Sequence, residues 1–407
     1  MSKTKSDLVR PGTHLTLVVD RLATGGRGVA RLDGRVVFVE GAVAPGETVL
    51  ATVHADKGRF LEARLSKVLE PSPRRVEPRC RHFGTCGGCS WQHLPYEDQL
   101  STKVSLLEDS LRRLGKLESW PTIEVRHGEP WGSRNRAQFQ PGAPGQPWGF
   151  FEPGSRDTVS LKECPVLAPE LQGVWDTLRK HEGDPDAARR QRSAFAWGAQ
   201  GATHFTMPGE RAPSAKVEIL GRTFEFPVDG FFQSNLSLVP EMVEAALGDL
   251  SGNRALDLYC GVGLFASFLQ DRFAQVDAVE NDFRASRFAP GNLSTAVYHD
   301  AFAEAWLERE LERGSISNID AIVVDPPREG LSERAMRAIL AVCAPRVRYV
   351  SCGHDTLARD LRQFVSEGYR LERLVMIDLY PQTPHLEVVA WLRHRGLGPR
   401  KVLLDLV

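Results

Sequence analysis

The chain has 407 residues, 42% of them hydrophobic and 25% charged, with 51 Lys plus Arg against 52 Asp plus Glu and seven cysteines. That length predicts two or three domains with a sizeable core, and no stretch reaches the roughly 18 consecutive apolar residues that a membrane span needs. The start, MSKTKSDLVRPGTHL, is polar and basic with no apolar signal core, so a soluble cytoplasmic protein with reduced thiols and no membrane partner is expected.

Charge is uneven along the chain. Residues 1–75 hold 13 Lys plus Arg against 8 Asp plus Glu, a net of +5, within a chain whose net charge is −1. The asymmetry points to a polyanion partner for the N-terminal part, against the plainer reading of a solvated face. The same region carries five alternating apolar stretches, LTLVVD, GVARL, RVVFVE, ETVLATVH and RFLEARLSKV, separated by GG, DG, APGE and DKG. Short strands with tight turns over about 60 residues predict a small β-barrel of the OB type, a fold that commonly carries oligonucleotides.

PSPRRVEPR (71–79) reads as a proline-rich, basic linker. CRHFGTCGGC follows it and places Cys80, Cys86 and Cys89 within ten residues. In a reducing compartment such a cluster more often binds metal or does chemistry than forms disulfides. From Tyr96 to Leu114 the apolar residues Leu100, Val104, Leu107, Leu111 and Leu114 recur at helical spacing, with Gly115 as a stop. Residues 120–228 read as mixed strands and turns and contain Cys164, a fourth candidate ligand.

From about residue 230 buried strands alternate with helices. ALDLY (255–259), QVDAVE (275–280), AVYHD (296–300), AIVVD (321–325), VRYVSC (347–352), LVMIDLY (374–380) and EVVAWL (387–392) are spaced for a doubly wound parallel sheet. Ligands of such sheets bind beyond the carboxyl ends of the strands, which directs attention to Asp257 with the following YCGVG, Glu280, Asp300, Asp325 and Cys352.

DLYCGVGLF (257–265) sets two glycines between a strand and a helix, where backbone can approach a ligand closely. The third glycine of the dinucleotide fingerprint is missing, which counts against NAD. Glu280 stands where a carboxylate accepts both hydroxyls of a ribose, and together these features look like an S-adenosylmethionine site. Asp325-Pro326-Pro327-Arg328 closes the next strand but one, and its two prolines stiffen the turn. Adenine and cytosine amino-methyltransferases use a similar turn followed by an aromatic residue; Arg328 stands there instead, which argues against N-methylation. Cys352 ends the fifth strand and Glu387 opens the last one, near the same cleft. A thiolate and a carboxylate around one pocket are what methylation at a pyrimidine carbon requires, because sulfur added at C6 makes C5 nucleophilic and a base must then remove the C5 proton.

FFQSN (231–235), DLYCGVG, DPPREG (325–330), VSC followed by TLARD (356–360), and PQTPHLEVVA (381–390) occur in this order. With them the whole chain resembles the bacterial RNA uracil-C5 methyltransferases, in the subgroup with an N-terminal TRAM domain and an iron–sulfur cluster. The resemblance implies Cys352 as nucleophile and Glu387 as the base for the C5 proton. Gln233, Tyr259, Glu280 and Asp325 match the family's S-adenosylmethionine contacts; Asp325 is also a candidate to face the uracil, and Asp300 is a weaker cofactor candidate. Cys80, Cys86, Cys89 and Cys164 match the ligands of the family's [4Fe-4S] cluster, although four thiolates by themselves satisfy zinc as well. Cys260 and Cys343 read as core residues. Two departures stand out: Gly353-His354 replaces the Asn-Pro that usually follows the nucleophile, and Leu264 occupies the place of an asparagine near the cofactor in some members.

The expected organisation is α/β: a TRAM domain of the OB-like barrel type over residues 1–72, a mixed α+β central domain with the cysteines over 73–229, and a Rossmann-like methyltransferase domain over 230–407. The expected partner is 23S ribosomal RNA, with tRNA as the alternative, met by a monomer through an unstacked uridine. Arg134 and Arg136 in SRNRAQFQ are further candidates for RNA contact, or else part of a solvated strand face. A non-catalytic RNA-binding assembly factor is a third reading.

Overall fold

The computed structural model describes residues 9–142, 148–180, 193–207 and 211–396. The basic start at residues 1–8 and the end of the expected catalytic domain at 397–407 lie outside them.

The N-terminal sheet contains β1 (His14–Val18), β2 (Arg21–Leu22), β3 (Gly28–Leu32), β4 (Arg35–Glu40), β5 (Thr48–Asp56) and β6 (Phe60–Glu70) in the order β1-β5-β6-β4-β3-β2. All five expected strands are present, and the two-residue β2 is added. Pairing is antiparallel except between β4 and β6. Alternate residues Leu17, Val37, Val39, Val49, Ala51, Val53, Leu61 and Ala63 fill the interior, with Trp91 and Leu94 sealing it. This period-2 pattern is what a half-buried sheet requires.

The helix α1 (Tyr96–Arg113) follows the cysteine segment, and then the strand β7 (Ile123–Arg126). The central region forms small antiparallel units. β8 (Arg136–Phe139) pairs with β11 (Ala194–Ala199) and β11 with β12 (Ala202–Thr206); β9 (Gly149–Phe151) pairs with β10 (Thr158–Ser160), and β13 (Ser214–Ile219) with β14 (Arg222–Pro227). The short helix α2 (Val174–Lys180) packs Val174, Trp175 and Leu178 under β8 and β11.

The large sheet has eight strands. In chain order after β7 come α3 (Val239–Leu247), β15 (Gly252–Leu258), α4 (Leu264–Leu269), β16 (Phe273–Glu280), α5 (Ala289–Asn292), β17 (Val297–Asp300), α6 (Ala303–Glu312) and β18 (Ala321–Val324). They are followed by α7 (Glu333–Val342), β19 (Arg346–Ser351), α8 (His354–Ser366), β20 (Tyr369–Ile377) and β21 (Glu387–His394). The sheet order is β17-β16-β15-β18-β19-β21-β20-β7. One face packs Ala255, Val323, Val350 and Val389 against α3 and α4. The other packs Leu256, Ile322, Tyr349 and Val388 against α6, α7, α8 and Leu107 and Leu111 of α1. Helices therefore cover both faces, as in doubly wound sheets.

One expectation is corrected. The sheet is mixed rather than parallel, because β21 runs antiparallel to both β19 and β20. The segment 378–386 joining β20 to β21 is a turn with no crossover helix, so the chain must reverse. β7, in the stretch that sequence assigns to the central domain, pairs in parallel with β20, and α1 packs on α8, so residues 96–126 join the large sheet and its helices. Among the described residues no helix is long and apolar enough to cross a membrane.

Candidate active site

A cavity of about 1000 Å³ opens beyond the carboxyl ends of the central strands, and Gln233, Tyr259, Glu280, Asp325, Cys352 and Glu387 all line it. Each is delivered by a separate element. Tyr259 follows β15 in the left-handed region, φ 61°, the sharp reversal that leads into Gly261 and Gly263, at φ 56° and 89°. Such a backbone is costly for a non-glycine residue and turns the chain from strand to helix in five residues.

Glu280 ends β16, and the turn gathers around its carboxylate. Gly261 N–H donates to Oε2 at 2.9 Å, while the N–H groups of Asn281 and Asp282 donate to Oε1 at 2.7 and 2.8 Å. The carboxylate is held facing the cavity with lone pairs to spare. Asp257, wholly buried behind the turn, accepts from Ala266 N–H at 2.7 Å, and burial raises its carboxyl well above the usual range. Gln233 is 6% exposed, and its Oε1 is buried with no protein donor. Asn235, two residues on, donates to Leu379 O at 3.3 Å, and Asn135 N–H donates to Ser234 O at 2.6 Å, so FFQSN is tied to the end of β20 and to the central region.

Asp325, Cys352 and Glu387 cluster in the same cavity, and Asp325 also feels Glu280. Burial, followed by the charges of Glu387 and Asp325, pushes the Cys352 thiol up to about 11, while Arg328 pulls it the other way. Asp325 is pushed up to about 7 by burial and by Glu280. Glu387, 3% exposed, is raised well above the ordinary carboxylate range by burial and by Asp325. Three acidic groups in one desolvated space favour keeping their protons, and a positive charge brought among them favours losing them.

The helix after Cys352 grips the turn after Asp325. Leu331 N–H donates to Asp360 Oδ2 at 2.9 Å, and Arg359 donates to Glu329 O and Leu331 O, both at 3.1 Å. This explains physically why TLARD accompanies DPPREG. Leu264 also lines the cavity, whereas Asp300, opposite Glu280 in the β16–β17 register, is exposed and is not among the lining residues. Sequence reasoning missed Tyr380 and Phe302. Tyr380 closes the run LVMIDLY beside residues already singled out, so strand-end position was the available signal; the 61% exposed Phe302 gave none.

A second cavity of about 500 Å³ is lined by Cys80, Cys86, Cys89 and Cys164. All four thiols are free. They lie near enough to raise one another: burial first, then neighbouring cysteines, push Cys86 up and Cys164 to about 12, with Arg134 opposing. Among the described residues no three His, Cys, Asp or Glu side chains stand close enough to hold a single metal ion. Arg134 and Arg136 line this cavity rather than a solvated face, each with a buried Nε lacking a partner, and Arg136 lies 5.3 Å from the centre of the Phe195 ring. The two cavities adjoin, sharing Phe231, Phe232 and Tyr380. Cys260 is buried in the core beside Val262, and Cys343 is half-buried at the end of α7.

Comparison with known proteins agrees with this geometry. The family model described as tRNA (Uracil-5-)-methyltransferase matches residues 214–395, and the TRAM domain model matches residues 9–66. The chain is 33% identical to a Pseudomonas entomophila protein named 23S rRNA (uracil(1939)-C(5))-methyltransferase RlmD, over 93% of each chain. A protein of the same name from Pectobacterium atrosepticum is 32% identical over 96% of each. Among solved structures, the Pyrococcus abyssi tRNA (uracil-54, C5)-methyltransferase in complex with S-adenosyl-L-homocysteine superposes with a TM-score of 0.73, at 23% identity, over 93% of this chain and 99% of that one; it supports the fold. With the barrel, the mixed sheet and the cavity all in place over an alignment of nearly full length, the chain belongs to the RNA uracil-C5 methyltransferase family, in the group that carries an N-terminal TRAM domain.

Proposed function

We propose that the protein methylates C5 of a uridine in 23S ribosomal RNA, with Cys352 as nucleophile and Glu387 as proton acceptor. The observation that carries the reading is the meeting of Cys352, Asp325 and Glu387 with Gln233, Tyr259 and Glu280 in one cavity. The residues fit a nucleoside cofactor: the Gly261 turn leaves room for one, Glu280 offers acceptors for ribose hydroxyls, and the unpartnered Gln233 Oε1 awaits a donor. When bound, S-adenosylmethionine supplies an electrophilic methyl on a positively charged sulfur.

The Cys352 thiolate Sγ bonds to C6 of the uracil, and the electron density displaced onto C5 takes up the methyl group, whose old bond to the donor sulfur would break to leave a neutral thioether. Glu387 then accepts the C5 proton. The electron pair of that C–H bond restores the C5–C6 double bond as the C6–S bond breaks, so the thiolate is regenerated and the product is 5-methyluridine. Asp325, between the two halves of the cavity, is placed to contact cofactor or base. Reaching C6 requires the base to leave its stack, so the target is a loop or a flipped uridine, and the TRAM barrel contributes phosphate contacts outside the cavity. We place this activity in the cytoplasm, carried out by a monomer.

The four cysteines suit a [4Fe-4S] cluster. Their thiols line one cavity, a cluster takes one thiolate on each of several irons, and Arg134 stands by to offset negative charge. Because its cavity adjoins the reaction cavity through Phe231, Phe232 and Tyr380, a structural and RNA-positioning role is favoured over redox chemistry.

The test is methylation with labelled S-adenosylmethionine of unmodified 23S rRNA and unmodified tRNA in parallel, by wild type and Cys352→Ala. The expected result is 5-methyluridine from 23S rRNA, lost in the variant. Label in tRNA alone would transfer the activity to tRNA; label in neither, with intact cofactor binding, would favour an RNA-binding assembly factor.

A further inference from the structure

Directly after Cys352 stands the Gly353-His354 pair that departs from the family pattern. Gly353 has φ −127° and ψ 97°, an extended backbone that any residue adopts, so conformational freedom does not explain the glycine. Space does: a Cβ there would stand 2.7 Å from Thr356 Oγ1 and 2.9 Å from Arg328 O. Thr356 Oγ1 lies 2.9 Å from Arg328 O and 3.0 Å from Gly353 O, so its single proton is shared between two carbonyls that belong to different turns. One of these turns follows Cys352 and the other follows Asp325. Ser351 Oγ adds a second hold on the first turn, accepting from Gly353 N–H at 3.2 Å. The second turn has no backbone donors at Pro326 and Pro327; beside its own Gly330 N–H to Pro327 O bond at 2.8 Å it is held by α8.

We propose that Thr356 is a positioning residue for the methyl transfer, its hydroxyl pinning the turn after Cys352 to the turn after Asp325, an arrangement that in this chain leaves no room for a Cβ at Gly353. The inference rests on Cys352 being the nucleophile. A shared backbone anchor sets how far the sulfur stands from the Asp325 carboxylate and from any base between them, and small displacements of reacting groups are expensive in rate. His354, next along, is turned away from the cavity, with its Nδ1 2.8 Å from Ser110 Oγ on α1; Asp360 and Arg359 grip the far end of the second turn, and Thr356 alone bonds the carbonyls of both turns.

The experiment compares Thr356→Val, which keeps the shape and removes the hydroxyl, with Thr356→Ser, which keeps the hydroxyl, and with Gly353→Ala. For each, the rate of covalent adduct formation on 5-fluorouridine RNA is measured beside the affinities for S-adenosylmethionine and for RNA and the melting temperature. Thr356→Val should slow adduct formation by about tenfold or more with both affinities unchanged within about twofold, and Thr356→Ser should restore most of the rate. Gly353→Ala should behave like Thr356→Val; if it fails to fold, the Val and Ser pair decides alone. Adduct formation by Thr356→Val at the wild-type rate, or equal losses in Val and Ser, would overturn the pin. Cys352→Ala separates the two claims: an adduct that persists in it overturns the nucleophile assignment, whereas its loss beside a fully active Thr356→Val overturns only the pin.

Discussion

Lys103 on α1 meets Asp378 at the end of β20 with Nζ 2.5 Å from Oδ1 and both side chains wholly buried. The same ammonium donates to Tyr380 O at 3.0 Å, and Tyr96 OH donates to Asp378 Oδ2 at 2.8 Å. Gln99, one turn before Lys103, donates to Gln382 Oε1 at 3.0 Å and accepts from Gln382 N–H at 2.9 Å. One helix from outside the expected catalytic domain thus holds the whole turn that delivers Glu387. Burial lowers the Lys103 pKa, and the neighbouring Asp378 opposes that. Lys103→Met leaves a buried carboxylate uncompensated and should cost about 3–5 kcal/mol in urea unfolding, with Lys103→Met/Asp378→Leu less destabilised than the single variant. A loss under about 1 kcal/mol in the single variant would mean the pair is not held buried in solution.

Glu280→Ala should weaken S-adenosylmethionine binding by roughly 10- to 100-fold, the range expected for one or two hydrogen bonds to a charged acceptor. Calorimetric titration of the purified protein measures it. The variant also frees the N–H groups of Gly261, Asn281 and Asp282, so the loss should exceed that of Asp300→Ala, whose side chain lies outside the cavity. Equal losses in the two variants would place the ribose elsewhere.

The residues that line the reaction cavity were legible because strand-end position and side-chain chemistry coincide at Glu280, Asp325 and Cys352. What was hidden depends on tertiary partners. IEVR of β7 has no apolar run, and only its pairing with β20 and the Arg373–Glu124 ion pair, with two contacts of 2.6 Å, make it an edge strand. EVVAWL of β21 reads the same in either direction, because a strand buried on both faces carries no directional pattern. Its antiparallel course is set by the 378–386 turn, whose ties run to α1 and to the cysteine segment, where Ser90 and Trp91 N–H donate to Gln382 O at 3.0 and 3.1 Å. Neither partner is close in sequence.

Anaerobically purified protein should contain iron and acid-labile sulfide and show the visible absorption of an iron–sulfur centre, and Cys86→Ser or Cys164→Ser should lose all three signals. Those two residues are the sharpest choice because they lie 78 positions apart in sequence yet line one cavity. Their loss should also loosen the path from Cys89 through Ser90 and Trp91 to Gln382, seen as faster hydrogen exchange across residues 378–386. Stoichiometric zinc with no iron would overturn the cluster assignment.

The Cys352 thiol is held protonated in the free enzyme, and this makes its reactivity a direct probe of the cavity. Burial is the first cause, and the Glu387 and Asp325 charges come next. Only the thiolate reacts with iodoacetamide. With the thiol pushed up to about 11, its alkylation rate should rise about tenfold per pH unit from pH 7 to pH 10 without levelling, whereas an ordinary cysteine levels near pH 8.5. Peptide mapping by mass spectrometry assigns the signal to Cys352 among the seven cysteines. Arg328→Gln removes a positive neighbour and should move the profile to higher pH, and Glu387→Gln should move it lower wherever Glu387 has lost its proton. S-Adenosylmethionine, with its sulfonium charge, should lower the profile more than the uncharged sulfur of S-adenosylhomocysteine does, so the enzyme gains thiolate as its methyl donor arrives. A plateau below pH 9 in the free enzyme would show that the sulfur faces water rather than this acidic cluster.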